Sequence, residues 1–253
     1  MLAVLSLFKK KKTMQSLKGK SALITGAGKG LGKAISLALA AEGVHLAILS
    51  RTESDLLKVK DEVAAIDSSL KVAIAVADQS DFTSIRTAIA SLISEVGVPD
   101  ILVNNAGTGK FGKFLDLEVS EWEHIVKVNL FGVYYVIHEV LPGMLERKSG
   151  DIVNVSSTAG QKGNPMTSAY SASKFGLNGL TESLMMEVRK SDIRVFSMSP
   201  STVATDLAKD NNLTDGNPDK VLQPEDFAEL LVAHLKLPKR ALVKEVGLWS
   251  TNP

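Results

Sequence analysis

The fold is decided by the stretch Thr25-Gly26-Ala27-Gly28-Lys29-Gly30-Leu31-Gly32, which follows an apolar run at 21–25 and opens a helical pattern at 31–42. Glycines in such a loop allow a tight turn and bring the backbone close to a pyrophosphate, which the N-terminus of the next helix attracts. The spacing is T-G-x-x-x-G-x-G rather than G-x-G-x-x-G. We predict that this loop binds a dinucleotide through Gly26, Gly28, Lys29, Gly30, Leu31 and Gly32. The alternative is a glycine-rich turn without a ligand.

Apolar runs and amphipathic stretches alternate along the rest of the chain, as they do in successive βαβ units. The apolar runs are unbroken, which is typical of a parallel sheet covered on both faces. Strands are predicted at 21–25, 44–49, 72–76, 101–104, 151–156, 194–198 and 241–246, and helices at 31–42, 53–66, 81–96, 119–147, 168–190 and 224–236. The fold class is therefore α/β, a doubly wound parallel sheet in a single domain. The polar segment 202–223 is predicted to be a mobile loop.

The composition limits the function and the partners. The chain has 253 residues, a formal charge of +1 and no cysteine. A charge this small argues against nucleic acid as a partner, because there is no basic excess to neutralise phosphates. The absence of cysteine excludes disulfides and Cys-bound metals and is compatible with the cytoplasm, where we expect the protein. The four histidines lack the spacing of metal ligands, so no metal site is predicted.

The N-terminal residues are not expected to belong to the folded domain. Residues 1–8 are apolar and 9–12 are four lysines, an order opposite to that of a secretory signal, and the apolar part is too short to cross a membrane. We predict a disordered extension at 1–16, a single domain at 17–253, and no association with a membrane. A functional tail is the alternative for the extension.

A second motif carries acid–base chemistry. Tyr170 and Lys174 are four residues apart, so on a helix they share one face. A neighbouring ammonium favours the phenolate and is expected to lower the pKa of Tyr170 from about 10 toward neutral pH. A tyrosine adjusted in this way can exchange a proton with a substrate oxygen.

Taken together, the ordered motifs make the chain resemble a short-chain dehydrogenase/reductase of the single-domain type, which implies a Rossmann-like sheet of about seven strands. The resemblance rests on the glycine loop, Asn104-Asn105-Ala106-Gly107, Asn129, Ser157, Tyr170 and Lys174, and covers the chain from Leu17 to its end. It implies that Tyr170 is the proton donor, that Ser157 binds the developing oxyanion, and that Lys174 also holds the nicotinamide ribose. It implies that Asn129 holds a helix kink and a water in a proton relay. Ser156 could be mistaken for Ser157, but thirteen residues to Tyr170 is the spacing of this family.

The residues after the second strand bear on the choice of cofactor. NAD-binding proteins usually carry an acid there, whereas this chain has Ser50 and Arg51, with Lys29 in the glycine loop. Two cations suit a 2′-phosphate, so we predict NADPH/NADP+ as the cofactor. Glu53 and Asp55 are expected to begin the next helix. The resemblance adds further cofactor-binding positions: Asp78, Gln79, Asn105, Ala106, Gly107, Pro200, Val203 and Thr205. At 201 a serine replaces the usual glycine, and the C-terminal segment also departs from the family pattern.

An apolar pocket is predicted for the substrate, formed by Phe111, Phe114, Met166 and Leu207 around Ser157 and Tyr170. We expect an NADPH-dependent carbonyl reductase that acts on a small ketone or aldehyde. The alternatives are a 3-oxoacyl-acyl carrier protein reductase and a non-catalytic NADP(H)-binding sensor. Apolar helices around 131–145 and 175–186 predict a homodimer or homotetramer.

Overall fold

Seven parallel strands form one sheet in the part of the chain that the structure, a computed structural model, describes: residues 14–214, 217 and 219–251. The strands are β1 (Ser21–Thr25), β2 (His45–Ser50), β3 (Val72–Val76), β4 (Ile101–Asn104), β5 (Gly150–Val155), β6 (Ile193–Pro200) and β7 (Glu245–Leu248). Their order is β3-β2-β1-β4-β5-β6-β7. The predicted doubly wound α/β fold is confirmed.

Helices cover both faces of this sheet, as the unbroken apolar strands predict. They are α1 (Gly30–Ala41), α2 (Glu53–Ile66), α3 (Phe82–Val96), α4 (Val119–Val126), α5 (Gly132–Arg147), α6 (Ser168–Val188), α7 (Asp206–Asp210) and α8 (Pro224–Leu235). One buried cluster packs α1, α2 and α8 on one face, and a second packs α3, α5 and α6 on the other. Every residue of β1, β4, β5 and β6 is buried.

Local signals in the sequence fix where several helices begin. Asp81 accepts hydrogen bonds from the N–H groups of Thr83 and Ser84 at the start of α3, at 2.8 and 3.4 Å. A proline occupies the first turn of α8, where its missing N–H costs nothing, and a capping box stabilises the same end. A π-helical turn at Lys127–Phe131 separates α4 from α5. Turns of this kind are frequently found at functional sites.

The stretch from Val119 to Arg147 is long and apolar enough to cross a membrane by length and composition alone. In this fold its helices lie on the sheet, and Val133, Val136, Val140 and Met144 are core residues. Such a core helix satisfies the same criterion as a membrane span, so the criterion is weak evidence here.

Three predictions need correction. The last strand begins at Glu245 rather than 241, because the carbonyl of Ala241 accepts a hydrogen bond from the Arg194 guanidinium at 3.3 Å instead of joining the sheet. The segment predicted as a loop at 202–223 contains α7 and a β-bridge between Val203 and Leu222. Residues 215, 216 and 218 of that segment lie outside the described residues.

The third correction concerns the predicted extension at 1–16. Its residues 1–13 lie outside the described part of the chain. Gln15 does not belong to a disordered segment, because its backbone N–H donates to the carbonyl of Lys236 at 2.7 Å and its side chain donates to the carbonyl of Leu237. These bonds satisfy carbonyl groups that the end of α8 leaves unpaired.

Candidate active site

A cleft of about 600 Å³ opens at the C-terminal ends of the strands, where β1 and β4 are neighbours although they are not consecutive in the chain. A doubly wound sheet binds ligands at this kind of switch point. The sequence-predicted residues that line the cleft are Gly26, Gly28, Lys29, Gly30, Leu31, Ser50, Arg51, Asp78, Gln79, Asn105, Ala106, Gly107, Phe111, Ser157, Tyr170, Lys174, Pro200, Val203, Thr205 and Leu207. Four others do not line it: Gly32, Asn129, Phe114 and Met166.

The glycine loop packs too closely for side chains. A Cβ on Gly26 would lie 2.7 Å from the Cα of Ala106, and one on Gly32 would lie 2.2 Å from the carbonyl oxygen of Gly26. Gly32 is therefore required by the contact between the loop and α1. Its predicted role as a cofactor ligand is replaced by a structural one, because it lies beneath the loop.

Polar side chains hold the loop against the end of β4. Thr25 Oγ1 accepts from the N–H groups of Asn105 and Ala106, at 3.1 and 3.0 Å. The Asn105 amide donates to the carbonyls of Thr25 and Gly26, at 3.0 and 3.1 Å. Gln79 is buried and donates to the carbonyl of Ala106 at 3.3 Å. These bonds fix the shape of the cleft before any ligand enters it.

The N-terminus of α1 fits a pyrophosphate. Its N-cap, Lys29, makes no side-chain cap hydrogen bond, and no acidic residue stands in the first turn. The first N–H groups of the helix therefore remain unpaired, and the helix dipole adds positive potential at the cleft. The loop and the helix end thus suit the phosphates of a dinucleotide.

The far end of the cleft holds charges of both signs. Lys29 is exposed and its Nζ lies 3.5 Å from Asp55 Oδ2, in the first turn of α2. The prediction that Asp55 only begins this helix is incomplete, because Asp55 also lines the cleft. The hydrogen bonds from Ser80 lower the pKa of Asp78, and the nearby charge of Arg51 acts in the same direction.

Tyr170 and Ser157 line the end of the cleft opposite Lys29 and Asp55. The Ser157 side chain accepts from the N–H of Ala159 at 3.1 Å and hydrogen-bonds Tyr170. Burial raises the pKa of the Tyr170 phenol above its ordinary value, and the hydrogen bond with Ser157 acts in the opposite direction. The adjacent Ser156 is buried too, but its hydroxyl has no hydrogen-bond partner among the described residues.

Lys174 lies on α6 one turn beyond Tyr170, as expected from the sequence. Its Nζ donates to the carbonyl of Val155 at 2.8 Å and lies 5.7 Å from the centre of the Tyr170 ring. Burial lowers the pKa of Lys174 to about 8. The expectation that Lys174 lowers the pKa of Tyr170 is not met in this structure, because burial raises that pKa and the opposing effect comes from the hydrogen bond with Ser157.

Asn129 lies behind the cleft, in the π-helical turn. Its Oδ1 accepts from the N–H of Thr108 at 2.8 Å, and its Nδ2 donates to the Thr108 carbonyl and to Ser173 Oγ, at 2.9 and 3.0 Å. Both N–H donors of the amide are therefore in use. In this structure the side chain positions the backbone at Thr108, and only its oxygen could still bind a relay water.

The apolar part of the cleft is narrower than predicted. The Phe111 ring meets the Tyr170 ring edge to face, with 5.4 Å between centres. A Cβ on Gly109 would lie 3.3 Å from the Tyr170 ring and 3.6 Å from Leu207 Cδ1, so this glycine leaves a space between them. These contacts place Phe111 and Leu207 beside Tyr170.

Phe114 and Met166 are wrongly assigned to this pocket. Phe114 is 73% exposed. Met166 is 52% exposed and adopts a left-handed backbone with φ 67°. Its carbonyl accepts from the N–H of Gly112 at 3.0 Å, and the residue is not part of the cleft lining.

The cleft is also lined by residues that were not predicted individually: Thr108, Asn164, Thr167, Asp206, Asp210 and Leu213. Most of them lie in loops or in the five-residue α7, and they reach the cleft only because the chain folds back over the glycine loop. Ser201 also lines the cleft, at the position where the family usually has glycine, and its hydroxyl accepts from the N–H of Ser250 at 3.3 Å. The substitution therefore ties the C-terminal segment to the cleft.

Comparison with known proteins identifies the family of this chain. The sequence profile of the short chain dehydrogenase family matches residues 20–216. The chain is 34% identical to an uncharacterized oxidoreductase of Staphylococcus saprophyticus over 233 residues, which are 92% of this chain and 98% of that protein. It is also 34% identical to the glycine betaine reductase ATRR of Emericella nidulans over 237 residues, which are 91% of this chain but only 18% of that protein.

Among solved structures, an alcohol dehydrogenase from the archaeon Thermococcus sibiricus, complexed with 5-hydroxy-NADP, is similar to the whole domain. The TM-score is 0.86 at 29% sequence identity, and the match covers 92% of this chain and 97% of that chain. The similarity therefore extends over nearly the whole of both chains.

Proposed function

Because the chain belongs to the short-chain dehydrogenase/reductase family and is an oxidoreductase, we propose that it is an NADPH-dependent carbonyl reductase. It would reduce a ketone or an aldehyde to an alcohol. The observation that carries the proposal is the shared cleft: Tyr170, hydrogen-bonded to Ser157, lies in the same cavity as the glycine loop. A dinucleotide held by that loop and a carbonyl at Tyr170 would therefore meet.

The protein's own residues would handle the proton. Tyr170 stays protonated at neutral pH because burial raises the pKa of its phenol, so it can donate to the carbonyl oxygen. Ser157 accepts from the N–H of Ala159, which leaves its own proton for the developing oxyanion. Lys174, with a pKa of about 8, can return a proton toward Tyr170 near neutral pH. A bound nicotinamide supplies the hydride that the carbonyl carbon receives.

The preference for NADPH is supported by the charges at the adenosine end of the cleft. Lys29 and Arg51 both line it, and both side chains are solvent-accessible cations that a 2′-phosphate could contact. The solved relative holds a 5-hydroxy-NADP molecule. No acid stands at the end of β2, where Ser50 is found.

The substrate end favours an uncharged, compact carbonyl compound. The surfaces beside Tyr170 are the Phe111 ring and Leu207, with the space above Gly109 between them. An apolar group of a ketone fits such a surface. A 3-oxoacyl thioester remains a second substrate class to test.

The experiment follows NADPH oxidation against aryl ketones, α-ketoesters, diketones, aldehydes and an acetoacetyl thioester. We expect activity on ketones and little on the thioester. Tyr170→Phe should lower turnover by about 100-fold or more while NADPH binding, measured by fluorescence, is retained. Tyr134→Phe, the same change at a half-exposed tyrosine of α5, is the control. No activity on any substrate with intact NADPH binding would refute the reductase and favour a sensor.

We also propose that the protein is a homodimer or homotetramer. Apolar side chains stay exposed on the two predicted helices and the turn before them: Phe131, Tyr134, Leu145, Phe175 and Met186. Covering such a surface with a second copy would remove it from water. Light scattering on the purified protein tests this, and a monomer at micromolar concentration would contradict it.

A further inference from the structure

We propose that Asp55 sets how strongly the cleft prefers a 2′-phosphorylated cofactor, because its carboxylate competes with that phosphate for Lys29. The inference rests on the proposed function only in taking a nicotinamide dinucleotide as the cofactor. It goes further in assigning a specificity role to an acid outside the glycine loop and outside the end of β2.

The ion pair between the two side chains is the first step. Lys29 Nζ lies 3.5 Å from Asp55 Oδ2, and the side chains are 66% and 15% exposed. The exposed Lys29 side chain can therefore change its rotamer, while the Asp55 side chain is held by its surroundings. A Cβ built on Gly28 would lie 2.9 Å from the Asp55 Cβ, so the acid packs directly against the glycine loop. Asp55 is the stationary partner and Lys29 the mobile one.

The position of the acid in the cleft is the second step. Asp55, Lys29, Ser50 and Arg51 all line the same cavity. The other acid at this end, Asp78, already accepts from the N–H and the hydroxyl of Ser80, both at 2.8 Å. Asp55 is thus the carboxylate that the structure pairs with a cation of the glycine loop.

Competition follows from the charges. Lys29 cannot hold the carboxylate and a phosphate equally well with one ammonium, and the fixed negative charge of Asp55 opposes a dianion nearby. A cofactor without the 2′-phosphate still carries its pyrophosphate but lacks the extra dianion, so it should experience both effects more weakly. Asp55 should therefore weaken the phosphorylated cofactor selectively and leave some room for NADH. Lys58, 3.7 Å from Asp55 Oδ1, moderates the effect by pairing with the same carboxylate.

The test uses adenosine 2′,5′-bisphosphate and adenosine 5′-monophosphate as probes, with their dissociation constants measured by calorimetry on the full chain. Asp55→Asn removes the charge with little change in shape. Glu53→Gln is the matched control, because Glu53 is an exposed acid in the same helical turn that does not line the cleft. Lys29→Ala, alone and combined with Asp55→Asn, shows whether the effect acts through Lys29.

Asp55→Asn should strengthen binding of the bisphosphate by about threefold to fivefold, the upper part of the range expected of one partly exposed charge, and leave the affinity for the monophosphate within about twofold. Glu53→Gln should change neither by more than about twofold. In the Lys29→Ala background, most of the gain from Asp55→Asn should disappear. The ratio of the two affinities would not move if Asp55 only stabilised the fold.

Three results would overturn the inference: an unchanged ratio in Asp55→Asn, an equal change in Glu53→Gln, or a full gain that persists without Lys29. Weaker binding of the bisphosphate would also overturn it, since Asp55 would then be holding Lys29 in place for the phosphate. If the unmodified protein binds neither probe, the cofactor assignment itself fails, which is a different result from binding with an unaltered ratio.

Discussion

The two adjacent serines at the end of β5 should respond very differently to substitution by alanine. Ser157 hydrogen-bonds Tyr170 and accepts from the Ala159 N–H, whereas the hydroxyl of Ser156 has no hydrogen-bond partner among the described residues. Ser156 is buried and Ser157 is half-buried, and both line the cleft. Ser157→Ala and Ser156→Ala therefore form a matched pair that differs in the bonds made by a single hydroxyl.

The magnitude follows from those bonds. Loss of an oxyanion donor raises the barrier by about 3 kcal/mol, which is a fall in kcat of about 100-fold or more. Ser157 also caps the short turn at Thr158–Gly160, and loss of such a cap costs about 1 kcal/mol, or about 2–4 °C in Tm for a chain of this size. Ser156→Ala removes an unpaired buried hydroxyl, so the free energy of unfolding should change by less than about 1 kcal/mol.

The assay is steady-state NADPH oxidation on the best ketone of the panel, with thermal unfolding and NADPH binding measured on the same samples. We expect Ser157→Ala to lose activity with cofactor binding intact. We expect Ser156→Ala to keep kcat within about twofold of the unmodified enzyme. A pH profile adds a second readout: without Ser157 the pKa of Tyr170 should rise further, because the hydrogen bond that opposes the effect of burial is gone. Equal losses in the two variants would refute the assignment of Ser157.

Two further predictions concern the pH dependence of stability. Burial lowers the pKa of Lys174 from 10.5 to about 8, so the unfolded chain binds more protons between these values and the stability of the protein should rise with pH there. Lys174→Met removes a cost on the order of 3 kcal/mol at pH 7, offset by the lost bond to Val155, and its advantage over the unmodified protein in urea unfolding should shrink from pH 7 to 10; a constant difference would contradict this. Burial likewise lowers the pKa of His234 from 6.5 to about 4, so stability should fall as the pH drops through that window. Measured by urea unfolding, the free energy of unfolding should fall less steeply between pH 6.5 and 4 in His234→Gln than in the unmodified protein. It should fall as steeply as in the unmodified protein in His124→Gln, whose side chain is exposed. The same pH dependence in both variants would contradict the prediction.

The sequence predicted the elements whose local pattern and tertiary role agree. The central strands are buried on both faces, so each is an unbroken apolar run that stands out from its neighbours. The start of the last strand was predicted wrongly because Ala241 and Leu242 are apolar but do not belong to the strand. Leu242 packs against the core from an irregular segment, and the Ala241 carbonyl bonds Arg194, a partner 47 residues away in the chain.

Some residues of the site could be predicted from the sequence and others could not. The glycine loop and the Tyr170 helix were predictable because their chemistry depends on short, fixed spacings. Phe114 was misplaced because aromatic character near a site does not say which way a loop turns its side chain. Asp55 was underestimated because its effect arises from packing against Gly28, which no local pattern records.

Substitutions at the two ends of the cleft should therefore have effects of different size. Lys174 is buried and Tyr170 beside it is half-buried, so a charge or a hydrogen bond there acts in a medium that screens it poorly, and the lowered pKa of Lys174 is one consequence. At Lys29 the ammonium is exposed, and water and salt reduce any single interaction to a few-fold effect on affinity. Substitutions at the buried end should change rates by orders of magnitude. Substitutions at the exposed end should adjust which cofactor is preferred while the chemistry continues, so cofactor preference can shift without loss of the catalytic machinery.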